Sequence, residues 1–261
     1  MDLTFIGTGA ADWPRDVLFD REALSQGRHR GFTTTLLGQN VLIDCGPRAV
    51  EEMHVFGIDV PAIDHVLITH SHGDHLCPDA IAELAASRTG RALSIHGDVE
   101  TLNTLKGIAG VDLHALCPGV AVGVVGLTVL PLRANHPLPN PAEVPLHYLI
   151  DDGTKRLLYA TDGAWLPPQT FYQIRECVLD AIVWDATIGE SRGDWRVFEH
   201  NSLPMLRLMA ETLRRNGCLP PEATVFLTHL ARTLHDDHSS IVATYARDGF
   251  TVAHDGMQAT V

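Results

Sequence analysis

Basic side chains are scarce in this chain. Its 261 residues include 32 aspartates and glutamates against 19 lysines and arginines, for a formal net charge of −13. A general nucleic-acid binder carries a basic face, so this balance disfavours that class, and an anionic membrane surface with it. It leaves room for an anionic substrate, because a local cationic site overrides the global sign. Cysteine is also sparse. Cys45, Cys77, Cys117, Cys177 and Cys218 are odd in number and far apart, and none form a C-x-x-C pair. Reduced thiols in a cytoplasmic protein are therefore expected, not a disulfide framework. No stretch approaches the ~18 apolar residues of a membrane span. The start, Met1-Asp2-Leu3-Thr4-Phe5-Ile6-Gly7, lacks a basic segment ahead of an apolar run. It reads as a strand that begins at once, without a secretory signal. Repeats, low-complexity tracts and linkers are lacking too, and Pro137-Leu138-Pro139-Asn140-Pro141 is too short to separate one domain from another. A single domain over 1–261 is expected, with an ordinary globular balance of 45% hydrophobic and 20% charged residues.

What the chain does have is histidine, 15 in all, and many short apolar runs. Runs that stop abruptly at a polar residue predict buried strands at 3–6, 33–37, 41–43, 65–68, 92–95, 126–132, 146–150, 156–160, 181–183, 224–227 and 249–253. Helical patterns lie between them at 47–56, 78–87, 99–106, 169–176, 203–216 and 239–247. The clearest has apolar residues at 203, 206, 209, 210 and 213 and a stop at Gly217. Strands alternating with helices, with hairpins at the front and middle, predict an α/β protein with mixed sheets.

The strongest local feature is Thr69-His70-Ser71-His72-Gly73-Asp74-His75. Four metal-ligand side chains fall within six residues, directly after an apolar strand and before a helix. Imidazole and carboxylate are the usual ligands of zinc and similar divalent ions. One loop cannot complete two coordination shells. Partners are expected at other strand ends, where His136, Asp162 and His229 each follow an apolar run.

H-x-H-x-D-H followed by a distant His, Asp and His resembles the signature of the metallo-β-lactamase superfamily, in particular its phosphodiesterase branch. The resemblance runs from Leu3-Thr4-Phe5-Ile6-Gly7-Thr8-Gly9 through Leu42-Ile43-Asp44-Cys45-Gly46 to His254-Asp255-Gly256-Met257. Within that branch the chain is similar to the PhnP-like cyclic phosphodiesterases and to the ribonuclease Z group. The resemblance implies a four-layer αββα sandwich of two mixed sheets flanked by helices. It implies two divalent ions, zinc or manganese with iron as a further option. His70, His72 and His136 would hold one ion, Asp74, His75 and His229 the other, and Asp162 both. Asp44 matches a short acidic loop near the metals; it either orients a ligand histidine or serves as a turn residue.

The reaction implied is hydrolysis of a small phosphate ester, cyclic ones included, by a metal-bridging hydroxide. His200, just ahead of the clearest helix, is the candidate general acid. Asp185, at the end of another strand, would orient or charge it. Asp74 joins these two as a catalytic candidate. His235, His238, His147 and Tyr148 are candidates for the pocket rim. His29 with Arg28 and Arg30 forms a small basic cluster, and His54, His65, His96, His114 and His254 read as structural. The loop from Ala10 to Gly31 has no cysteine, so the zinc knuckle usual in PhnP-like proteins is not expected. Other readings are lactone, carboxylic ester or thioester hydrolysis on the same metals, tRNA 3′-processing, and a non-catalytic metal protein. The expected partner is a small phosphate ester, not nucleic acid or membrane, and the family default is a homodimer.

Overall fold

Runs of parallel strands fed by intervening helices organise this chain. The computed structural model describes residues 1–16 and 19–261. Its backbone gathers into two compact units, each with its own sheet and its own apolar core.

The first unit takes in Met1–Leu116, Leu138–Val144 and His254–Thr260. Its strands are β1 (Asp2–Gly7), β2 (Thr34–Leu37), β3 (Val41–Ile43), β4 (His65–Leu67), β5 (Leu93–Gly97), β6 (Val111–Ala115) and β14 (Met257–Thr260). They lie in the order β14-β1-β2-β3-β4-β5-β6. Pairing is antiparallel from β14 to β3 and parallel from β3 to β6. The helices are α1 (Arg21–Ser25), α2 (Ala49–Phe56), α3 (Pro78–Ala86) and α4 (Val99–Asn103). Val50 and Met53 of α2 and Ile81 and Leu84 of α3 pack into one core with Leu42, Val66 and Ile95 of the sheet.

The second unit takes in Cys117–Pro137 and Pro145–Ala253, with Val261. It repeats the plan with β7 (Val122–Val124), β8 (Leu127–Arg133), β9 (Leu146–Asp151), β10 (Arg156–Ala160), β11 (Ala181–Asp185), β12 (Thr224–Thr228) and β13 (Phe250–Val252). The order is β13-β12-β11-β10-β9-β8-β7, parallel from β13 to β10 and antiparallel from β10 to β7. Its helices are α5 (Pro168–Ile174), α6 (Leu203–Arg215) and α7 (His238–Tyr245). On α6 the apolar stripe Leu203, Leu206, Met209, Ala210 and Leu213 is buried, as its spacing predicts. Ser202 caps the helix start, and Gly217 takes the left-handed turn after its end with φ +75. Trp184 of β11 is fully buried in this core.

The mixed sheets are those that the sequence pattern predicts. Four elements escaped it. The edge strands β6 and β14 alternate polar and apolar residues and are half exposed, β7 carries Gly123, and α1 is a five-residue helix. Residues 17 and 18 of the cysteine-free loop lie outside the described residues. The helix expected over 99–106 stops at Asn103. All five cysteines are free thiols. Among the described residues no helix is long and apolar enough to cross a membrane.

Candidate metal centre

Parallel strands in register end together, and ligand-binding side chains collect at such edges. In the first sheet Ile43 pairs with Leu67, and Leu67 with His96. The residues that follow β3 and β4 therefore emerge side by side. In the second sheet Trp184 pairs with Ala160 and Leu227, and Asp185 with Thr228. The exits of β10, β11 and β12 are aligned in the same way.

In the first unit Asp44 follows β3, fully buried, with φ +61. One carboxylate oxygen accepts the Thr69 backbone N–H at 2.7 Å. The other lies 2.7 Å from His75 Nδ1 and accepts the Thr69 hydroxyl at 2.8 Å. That hydroxyl is 3.0 Å from His70 Nδ1. Asp44 thus holds His75 directly and His70 through Thr69. Burial raises its carboxyl above the usual carboxylate range, against the pull of His75 and Thr69. The His70 ring packs 4.7 Å from that of His72 and 4.4 Å from that of His75. Asp74 Oδ2 is 3.6 Å from His75 Nε2.

Two further contacts shape this loop. The buried Glu143 carboxylate accepts from Ser71 N–H at 2.8 Å, Ser71 Oγ at 2.6 Å and Thr101 Oγ1 at 2.7 Å. It thereby fixes the residue between His70 and His72. Gly46 is a close approach: a Cβ there would sit 2.1 Å from the Asp74 carbonyl oxygen.

The second unit uses the same device. Asp185, fully buried at the end of β11, lies 3.0 Å from His200 Nδ1. Its other oxygen accepts from Thr187 N–H at 2.8 Å and from Thr187 Oγ1 at 2.7 Å. That hydroxyl is 2.8 Å from His229 Nδ1. Asp162, after β10, has one oxygen 3.1 Å from His229 Nε2 and 3.9 Å from His200 Nδ1. Its other oxygen is 3.7 Å from His136 Nε2, and His136 Nδ1 is held by the Glu199 carbonyl at 2.9 Å. Ligating atoms of Asp162, Asp185, His200 and His229 all lie within 4.8 Å of one another. Burial opposes charge on His200, but Asp185, then Asp162 and Glu199, outweigh it and lift the imidazole to about 9. Asp185 goes the other way: burial would raise it, yet the charge and hydrogen bond of His200 bring it below its ordinary value. Asp162 and His229 have positive φ, +54 and +55.

Each unit therefore gathers its share of the expected site residues: His70, His72, Asp74 and His75 in one, His136, Asp162, Asp185, His200 and His229 in the other. The remaining histidines are not among the grouped donors, although His147 lies beside Asp162. His235 bridges the Ala186 carbonyl (2.9 Å) and the Tyr245 hydroxyl (3.1 Å), and His238 opens α7. His147 is fully enclosed, and burial pushes it down to about 4; Tyr148 is buried beside it in β9. His29 sits between Trp13 and Phe19. Thr69, Thr187 and Glu143 escaped sequence reasoning. The threonines lie within two residues of a candidate histidine or aspartate, which is the only signal they give. Glu143 gives none.

The donor set fits divalent ions. It consists of imidazole nitrogens and carboxylate oxygens, and Nδ1 of His70, His75, His136 and His229 each meets another protein group, so Nε2 is the nitrogen presented. Metal-binding histidines are held in this way.

A family model described as a beta-lactamase superfamily domain matches residues 39–230. Ribonuclease Z of Methanococcus maripaludis is 28% identical over 118 residues, 44% of this chain and 35% of that protein. Octanoyltransferase of Porphyromonas gingivalis is 26% identical over 261 residues, 92% of this chain and 47% of that protein. The matched stretch thus spans less than half of either relative. Among solved structures, a diphosphatase from the PhnP family has a TM-score of 0.75 at 21% identity, covering 99% of this chain and 96% of that one. At that identity the likeness is one of fold. With the family model spanning the H-x-H-x-D-H loop, Asp162 and His229, the chain belongs to the metallo-β-lactamase superfamily.

Proposed function

We propose that the two units act as one metal-dependent hydrolase domain on a small phosphodiester, cyclic ones included. The observation that carries this reading is the His200–Asp185 pair, 3.0 Å apart and beside Asp162. By the family's pattern, His70, His72 and His136 hold one ion, Asp74, His75 and His229 a second, and Asp162 both. Imidazole with carboxylate suits zinc, and manganese or iron also takes such donors. Divalent ions held there supply positive charge to the phosphoryl group and make water nucleophilic at neutral pH.

The rest falls to the chain's own side chains. Asp185 occupies His200 Nδ1 and favours the charged ring, so the proton for the leaving oxygen sits on Nε2. A positioned acid of this kind is typically worth roughly 10²–10⁴-fold. Asp185 also accepts from Thr187, whose hydroxyl meets His229. One buried carboxylate therefore aligns the proton donor and a metal-presenting ring together.

The octanoyltransferase relative favours a second reading, hydrolysis of an acyl ester, lactone or thioester on the same ligands. One panel separates the two: bis(p-nitrophenyl) phosphate, cyclic nucleotides, cyclic ribose phosphates and lactones, with zinc or manganese added. The His200→Ala variant should lose roughly 10²–10⁴-fold on diesters with alkoxide leaving groups. It should lose far less on bis(p-nitrophenyl) phosphate, because p-nitrophenolate departs without a proton. Turnover of lactones alone overturns the phosphodiester reading, and unchanged turnover of cyclic esters by His200→Ala removes its proton donor.

A further inference from the structure

The second unit has an open cavity of about 650 Å³ whose lining includes Asn135, Trp165, Arg192, Phe198, Ser202 and Met205. Asn135 precedes His136, and Ser202 follows His200 by two residues, so the cavity borders the segments that carry His136 and the proposed proton donor. Its size is that of a small-molecule site and far exceeds what a methyl or ethyl group fills.

Three features make it more than a surface dent. Phe198 is 78% exposed, and Trp195 in the same segment is 66% exposed. Phe198, which lines the cavity, therefore offers a large apolar face to whatever enters it. Trp165 holds a left-handed backbone conformation, φ +60, which a bulky residue adopts only when its surroundings impose it. The surroundings here are Asn201: its side chain accepts the Trp165 N–H at 3.0 Å and donates to the Gly163 carbonyl at 2.7 Å. Asn201 is buried and adjoins His200. The same side chain thus fixes the tryptophan wall of the cavity and the segment that carries the acid. Finally, the exposed Arg192 places a cation in a lining otherwise free of charge.

We infer that this cavity receives the alcohol side of the scissile ester, and that this alcohol carries a planar aromatic ring. Trp165 and Phe198 line the cavity with aromatic surface on which a ring can pack, with Met205 as an adaptable sulfur contact. The Arg192 guanidinium suits a ring that bears acceptor atoms, as a nucleobase does. This inference rests on the phosphodiester reading above and deepens it by naming one side of the substrate.

The test uses binding, so that no turnover is needed. Methyl phosphate and benzyl phosphate are titrated calorimetrically into the metal-supplied protein. The variants are Phe198→Ala and, as a control on an exposed apolar position outside the cavity, Val242→Ala. Aromatic contacts of this kind are worth roughly 0.5–1.5 kcal/mol each, or about 2- to 12-fold. Benzyl phosphate should bind at least about fivefold more tightly than methyl phosphate to the wild type and to Val242→Ala. In Phe198→Ala the ratio should fall by about 2- to 12-fold, the worth of one aromatic contact, with the change carried by benzyl phosphate. Equal binding of the two phosphates by the wild type, or an undiminished ratio in Phe198→Ala, overturns the ring cavity alone. Absence of binding by both phosphates overturns the phosphoester reading beneath it.

Discussion

Replacing Asp44 by asparagine tests the Asp–Thr–His arrangement at its root. The two side chains are nearly isosteric, and asparagine accepts φ +61 as readily as aspartate does. Neither a cavity nor new backbone strain is introduced. An amide, however, has one oxygen and an NH2 group. If the oxygen keeps the Thr69 N–H, the NH2 faces His75 Nδ1 across 2.7 Å. A donor then meets a donor unless His75 moves its proton to Nε2, the nitrogen turned toward Asp74. The Thr69 hydroxyl loses its shorter contact, 2.8 Å, and keeps only the 3.0 Å one to the remaining oxygen, which loosens His70. Losing a buried hydrogen bond to a charged group costs about 1.5–3 kcal/mol. For a chain of this length that lowers Tm by roughly 3–10 °C. Disturbing the group that orients a metal-binding histidine typically weakens metal binding about 10- to 100-fold. Zinc competition against a chelator of known affinity, paired with thermal denaturation followed by circular dichroism, reads both effects. Metal affinity within twofold of the wild type, with Tm lowered, would refute the argument and leave Asp44 as a turn residue only.

Three other outcomes are expected. Glu143→Gln keeps the shape but gives three donors one amide oxygen to share, so it should weaken metal retention by about tenfold, measured by the same competition, at a stability cost of roughly 1–3 kcal/mol in urea unfolding. Gly46→Ala drives a methyl group into the Asp74 carbonyl and should destabilise by about 1–3 kcal/mol or more while depleting bound metal by elemental analysis; a wild-type melting curve would show that the turn relaxes freely. His96 stacks between His65 and His114, the latter beside Asp112, and burial together with the charges of His114 and His65 pushes it down to about 4. The unfolded chain binds a proton there below about 6.5 and the folded chain does not, so this contribution is lost as pH falls from about 6.5 to 4. That amounts to about 3 kcal/mol for a wholly shielded ring and roughly 1–2 kcal/mol after solvent screening. His96→Asn should flatten the stability profile in that window, and an unchanged slope would place the acid sensitivity elsewhere.

Contiguity decided which segments could be read from sequence. His70, His72, Asp74 and His75 sit in one loop after a strand, so spacing alone declares them. His136, Asp162 and His229 are legible because each ends an apolar run, and α6 because its stripe is regular. Of the residues that hold those rings, Asp44 and Asp185 were legible as strand-end acids, and the others were not. Thr69 and Thr187 are ordinary strand-end threonines until the backbone folds a carboxylate over them. Glu143 reaches Ser71 from a proline-rich loop 72 residues away, a distance that no local pattern spans. The edge strands β6 and β14 escaped because an edge buries only a portion of each residue and keeps a weak alternation. Trp165 reads as a plain loop tryptophan, since neither its backbone angle nor its tie to Asn201 leaves a mark in the sequence.

The left-handed backbone at Asp162 and His229 has a consequence for how this chain can change. Each is a position where glycine would rest more comfortably; a strained backbone costs of order 1–3 kcal/mol, less for aspartate. A library selected for heat resistance alone should therefore drift toward glycine at positions 162 and 229, and variants that gain melting temperature there should lose metal. Durability and chemistry pull these two positions in opposite directions, and the retained strain marks which of the two has shaped the chain.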